Sequence, residues 1–145
     1  MWFSRKQDTK TSAAARPVGQ VTTKRQGDAA EARARDYLVQ QGLRAIESNF
    51  RTPGRGGGEI DLIMRAADGT LVFVEVRQRS GASHGGAGAS ISMVKQQRIV
   101  FAARHYLMRF ASPPPCRFDV VLVQGLQQAP EAVRLEWLQA AFDAW

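Results

Sequence analysis

Three acids of this chain stand where apolar side chains are expected. Glu59 and Asp61 interrupt Gly58-Glu59-Ile60-Asp61-Leu62-Ile63, and Glu75 interrupts the apolar run from Leu71 to Val76. A carboxylate left ionised and unpaired inside an apolar sheet costs several kcal/mol, so each must meet a cation, a cluster of donors or water. Successive side chains of a strand point to opposite faces, so Glu75 and Arg77 share one face of their strand, and Glu59 and Asp61 one face of theirs. If the two strands pair in antiparallel fashion, Asp61 comes close to Glu75 and Glu31 reaches in from a covering helix. Crowded carboxylates raise one another's pKa unless a cation intervenes, and carboxylate oxygens are preferred protein ligands of Mg²⁺ and Mn²⁺. The alternative is a set of salt bridges to Arg65, Arg77 and Arg79, and spacing alone leaves both open.

The elements that must position these acids follow from periodicity. Asp28 to Gln41 has helical spacing, with Glu31, Ala34, Leu38 and Gln41 in one stripe and Gly42 as its stop. Leu43 to Phe50, Glu59 to Arg65 and Leu71 to Arg77 read as strands, divided by the Gly-rich turn from Pro53 to Gly58 and by Asp68-Gly69, a hairpin signal. Ile91 to Phe110 reads as a long helix with Ile99, Ala103, Tyr106 and Phe110 inward, ended by prolines 113 to 115. Phe118 to Val123 and Val133 to Leu138 are the last strands. The predicted class is α/β: a mixed central sheet flanked by helices, in the order α-β-β-β-α-β-β. Helices on both faces would explain why Val72-Phe73-Val74 has no polar side.

A length of 145 residues suits one domain, predicted over 23–145 behind a basic tail over 1–22. Of the net charge of +7, most belongs to the leader, where Arg5, Lys6, Lys10, Arg16, Lys24 and Arg25 face Asp8 alone. Such a segment is either a solvated disordered tail or a basic arm that follows a polyanion. No run is apolar enough for a bilayer and the first residues lack a secretory pattern, so a cytoplasmic protein with no membrane partner is expected. The single cysteine, Cys116, has no partner for a disulfide or a zinc site. The Gly81 to Ala89 segment carries neither a phosphate-binding Gly-Lys-Ser/Thr nor a dinucleotide fingerprint. With two histidines, His84 and His105, and no nucleophile elbow, a histidine triad is unsupported.

From Gly27 onward the chain resembles the YraN family of bacterial proteins, itself similar to a branch of the PD-(D/E)xK nuclease superfamily near the archaeal Holliday-junction resolvases. The resemblance is carried by Gly27 and Ala30-Glu31, Asn49-Phe50-Arg51, Gly58-Glu59-Ile60-Asp61-Leu62-Ile63, Phe73-Val74-Glu75-Val76, Arg79, Lys95 with Arg98, and Arg117-Phe118-Asp119-Val120-Val121. It implies a restriction-endonuclease-like fold in which Glu31, Asp61 and Glu75, with the Val76 carbonyl, hold Mg²⁺ or Mn²⁺. One departure stands out. The superfamily's lysine, two residues after the strand acid, is Arg77 here. Arginine keeps its proton at any relevant pH, so it holds a phosphate but cannot act as a base.

Along the second helix Lys95, Arg98, His105 and Arg109 recur at spacings of three, seven and four, a basic stripe that suits either solvent or a DNA backbone. The expectation is therefore a metal-dependent endonuclease-like protein acting on branched or structured DNA. Its catalytic group is Glu31, Asp61, Glu75 and Arg77, and its nucleic-acid contacts are Arg79, Lys95, Arg98, His105 and Arg109. The rival is a non-catalytic nucleic-acid-binding module that lost cleavage through Arg77, and a third reading is an interaction protein whose acids are only salt-bridged. A homodimer would suit a cutter of two strands, by analogy alone.

Overall fold

A computed structural model describes residues 23–54, 56–79, 91–126 and 128–144. The basic tail over 1–22 and the Gly81 to Ala89 segment lie outside the described residues. Helix α1 (Thr23–Gln40) leads to strands β1 (Arg44–Arg51), β2 (Glu59–Arg65) and β3 (Leu71–Arg79). Helix α2 (Met93–Leu107), β4 (Cys116–Gln124), a 3₁₀ turn (Pro130–Ala132) and β5 (Arg134–Phe142) complete the chain, in the order the periodicity predicts. Among the described residues no helix is long and apolar enough to cross a membrane.

Both helices have boundaries that differ from expectation. Helix α1 begins at Thr23 rather than Asp28, because its first turn is polar and exposed and carries a Lys24–Asp28 ion pair at 3.0 Å instead of an apolar stripe. Its end is as expected. Gly42, at φ 104°, takes the left-handed position while the Leu43 amide reaches back to the Leu38 carbonyl at 3.0 Å. Helix α2 starts at Met93, where the Ser92 hydroxyl caps the Lys95 amide at 3.1 Å, and ends at Leu107 rather than Phe110.

The five strands form one sheet in the order β1-β2-β3-β4-β5. β1, β2 and β3 are an antiparallel meander, β3 and β4 run parallel, and β5 returns antiparallel to β4. The parallel pair needs a crossover, and α2 supplies it. Helix α1 lays Ala30, Ala34 and Leu38 on Leu62, Met64, Val72, Val74 and Val121. Helix α2 packs Ile99, Ala103 and Tyr106 on Ile63, Leu71, Phe73 and Phe118, on the opposite face. Both faces of β3 are thus covered, which is why its apolar residues run without alternation.

Gly58 fixes α2 against the turn before β2. A Cβ there would lie 1.9 Å from the Arg98 carbonyl oxygen and 3.2 Å from the Ala102 methyl, so only glycine lets strand and helix backbones come so close. The same glycine closes its own loop, its amide donating to the Thr52 hydroxyl at 2.8 Å. The Gly-Glu-Ile-Asp block therefore has a packing half and a chemical half.

Asp119, fully buried, has a structural role. Its carboxylate accepts the Arg117 Nε at 3.1 Å, the Trp137 Nε1 at 2.9 Å and the Ala140 amide at 2.9 Å. Those bonds hold an irregularity where β5 slips in register between Phe118 and Val120, with Ala140 at φ 50°. Pinned this way, β5 runs on to Phe142 instead of stopping at Leu138. Asp119→Ala strands the guanidinium and the indole N–H at once, so urea denaturation should show a loss of about 3–5 kcal/mol.

Candidate functional site

The ladder between β2 and β3 pairs Arg65 with Leu71 and continues to Leu62 with Val74. Beyond that point a side chain takes over. Asp61 Oδ2 accepts the Val76 amide at 2.8 Å, so a carboxylate replaces a carbonyl as the acceptor of a central strand. Strict alternation fails here: Ile60 and Ile63, three residues apart, pack on the same α2 face, while Leu62 and Met64 face α1. Asp61 is thereby held in the seam between the strands and meets the Glu75 side chain. Glu75 is 6 % exposed and lies under the start of α2, where Lys95 Nζ stands 3.6 Å from its Oε2.

The electrostatics follow from burial. Glu75 is pushed up to about 8 by burial and then by the Asp61 charge, against the opposing pull of Lys95 and, more weakly, Arg77. The raised value favours a protonated Glu75 near neutral pH, hydrogen-bonded to Asp61. Burial also raises Asp61, with the Val76 amide as the main opposing influence. Glu31 rises to about 7, through burial and then through Asp61, while a hydrogen bond from the Asn49 side chain works the other way. The three acids therefore act on one another, as the spacing suggested.

Asn49 is the residue that sequence reasoning quoted but gave no role. It has φ 55° in the middle of β1, a left-handed conformation that costs on the order of 1–3 kcal/mol away from a turn. Its neighbours Ser48 and Phe50 pair with Leu62 and Ile60, so Asn49 faces Asp61 across the strands. The irregular backbone lets its amide reach Glu31 and hold that helix acid toward the seam. Asparagine tolerates this region better than other side chains, and an asparagine inside a strand pattern was the signal available.

The basic residues disperse. Lys95 comes to the acids rather than to the surface alone. Arg77, half-buried, acts on Glu75 through space. Arg79 lies toward β5, 4.0 Å from Glu136, and Arg65 Nε donates to the Gly69 carbonyl at 3.1 Å. Arg65 and Arg79 thus meet partners beyond the seam, the Gly69 carbonyl and Glu136. Arg98 and His105 are exposed on α2. Arg109, at the far end of the stripe, stacks on Tyr106 with its guanidinium carbon 3.7 Å from the ring centroid and reaches Glu47 at 3.8 Å. Val76 contributes its amide to Asp61. Among the described residues no three His, Cys, Asp or Glu side chains stand in metal-holding geometry.

A mixed five-stranded sheet with one helix on each face, and a buried glutamate touching a half-buried aspartate at its seam, defines this as an α/β protein with a candidate acidic site. The chain belongs to a family described as uncharacterised protein family UPF0102, whose model matches residues 30–123, a span holding all the acids of the seam. This is the YraN family. A UPF0102 protein of Polaromonas sp. strain JS666 is 72 % identical over 149 residues, covering 99 % of both chains. Another, of Polaromonas naphthalenivorans, is 71 % identical, also over 99 % of both. A UPF0102 protein of Methylibium petroleiphilum is 61 % identical over 86 % of this chain and 98 % of its own.

All three acid shifts have the same sign. A carboxyl raised on folding binds more protons in the native than in the unfolded chain, so stability is intact below the ordinary carboxylate range and declines as pH rises through the raised values. The melting temperature should fall by several degrees between pH 4.5 and about 8. Glu75→Gln, neutral throughout, should flatten the upper part of that decline; an equally steep fall in the variant would place its origin elsewhere.

Proposed function

We propose that this protein is a divalent-metal-dependent endonuclease acting on DNA, with branched or otherwise structured DNA as its substrate. One observation carries the reading: a buried Glu75 touches a half-buried Asp61 that a main-chain amide fixes, with a lysine beside them. A fold gains nothing in stability from such a pair, since two well-packed apolar residues would serve better. The covered five-stranded sheet, with the acids at one end of its central hairpin, supports a restriction-endonuclease-like arrangement.

The donor set fits a small hard cation. Asp61 and Glu75 are hydrogen-bonded to each other where Mg²⁺ or Mn²⁺ would sit, and Mg²⁺ is usually held by one or two carboxylates while keeping several waters. A cage of three side chains is not required. Asp61 and Glu75 would hold the ion, with Glu31 and the Val76 carbonyl as further oxygen donors. Bound there, it supplies neutralisation of phosphate charge and a more acidic water.

The protein's own residues supply the rest. Asn49 keeps Glu31 turned to the seam. Lys95 delivers, from α2, the ammonium that the family pattern leads one to expect at 77; it is placed to orient a water or to hold a phosphate oxygen. Arg77 stays protonated and binds phosphate through its planar fork. The second reading, a nucleic-acid-binding module without cleavage, is favoured by Arg77 itself.

Calorimetric titration should show Mn²⁺ binding that Asp61→Asn abolishes while the variant still melts cooperatively; unchanged affinity would remove the metal assignment. With Mn²⁺, cleavage of branched DNA should fall about a hundredfold in Lys95→Ala and rise in Arg77→Lys. Glu75→Ala in the Arg77→Lys background is the control, because contaminating nuclease ignores it. If neither wild type nor Arg77→Lys cuts branched, flapped or single-stranded DNA while both bind it, the binding module is the better description.

A further inference from the structure

Helix α2 turns a second, separate surface to solvent. Met93 is 64 % exposed, Phe101 51 % and Met108 77 %, a ridge of large apolar side chains along the helix. The neighbours of Phe101 one turn away are Gln97 and Arg98 before it and Arg104 and His105 after it. An exposed aromatic ring is thus set among cations and an amide, with its centroid 6.4 Å from that of His105. Beside it opens a cavity of about 440 Å³ lined by Met93, Gln96, Val100, Arg104 and Asp143. That is the size range of small-molecule pockets, and its lining mixes apolar with polar side chains. None of the acids of the seam lines it.

We infer that Phe101 is a stacking platform for an unpaired base of a nucleic-acid strand, with the adjoining cavity receiving the base's polar edge. The inference rests on the reading of the acid seam as a nucleic-acid site, and it names what the protein holds beside that seam. Three observations support it. First, every base has a flat π-face, so an exposed aromatic flanked by cations binds unpaired bases without regard to sequence. Second, Phe101 lies six residues beyond Lys95, about 9 Å along the axis and roughly 120° around it with Arg98 midway, so a strand crossing the helix obliquely can pass from the acids over Arg98 to the ring. Third, charge argues against a second copy on this ridge. Beside Phe101 the helix carries Arg98 and Arg104 and no acid, and with Asp143 as the one acid lining the cavity the surface keeps a positive excess that pairing the ridge with itself about a two-fold axis would set against itself. A polyanion has no such penalty.

A duplex hides its base faces, so the platform discriminates by strandedness. The test is fluorescence anisotropy with a labelled single strand, a Y-branched DNA with unpaired arms and a blunt duplex, in EDTA and again in Mg²⁺. Phe101 is half-exposed, so Phe101→Ala leaves the core intact. Its affinity for the single strand and the branch should fall tenfold or more, with the blunt duplex within twofold of wild type. Phe101→Trp should bind as wild type does and, on adding the single strand, show quenching beyond that of the native Trp2, Trp137 and Trp145 in wild type. Equal affinities for all three DNAs in wild type and Phe101→Ala would overturn the platform while leaving the seam's role standing. Wild type binding none of them would overturn both. A change of molar mass in light scattering on Phe101→Ala, with DNA binding unaltered, would make the ridge a contact between copies and overturn the inference.

Discussion

The bond from the Val76 amide to the Asp61 carboxylate is the constraint around which the sheet is arranged. A central strand cannot leave an amide without an acceptor. Here the acceptor is a side chain, which ends the β2–β3 ladder at Leu62 and Val74 and lets the two strands part. The parting makes the space in which Glu75 and Asp61 touch. Without it, regular pairing would give Val76 a carbonyl and turn Asp61 to one face or the other.

Around that seam each neighbouring element contributes one fixed group. Helix α1 brings Glu31, which Asn49 of β1 holds from across the sheet. Helix α2 brings Lys95, and its position depends on Gly58, whose lack of a side chain lets the Arg98 carbonyl approach. The acids, the lysine and the glycine are far apart in the chain, yet backbone contacts set their distances more than side-chain flexibility does. The result is a site preorganised by the same packing that closes the core.

The order of elements was legible because period and punctuation are local: Gly42, Asp68-Gly69 and the three prolines mark boundaries wherever the chain later goes. Convergence of Glu31, Asp61 and Glu75 was legible as well, since hairpin register and helix periodicity bring them to one end. The rest depends on contacts through space. Alternation hid the slip at Asp61, because a pattern rule assumes the ladder continues. Lys95 read either as an ammonium brought to the acids from another backbone position or as a phosphate contact, since nothing in its neighbourhood announces a glutamate twenty positions earlier. Asp119 stood in a block that carried the family resemblance, and only its hydrogen-bond partners show that it braces β5. The early start of α1 carries no apolar period, so its first turn was invisible.

A carboxylate that completes a main-chain ladder also makes the backbone sensitive to chemistry. The Val76 amide donates to an oxygen whose charge changes when the acid pair loses its proton. Its resonance frequency and solvent-exchange rate therefore carry the state of the seam into the central sheet. One nucleus, native to the chain, reports the protonation of the acids with no side chain altered.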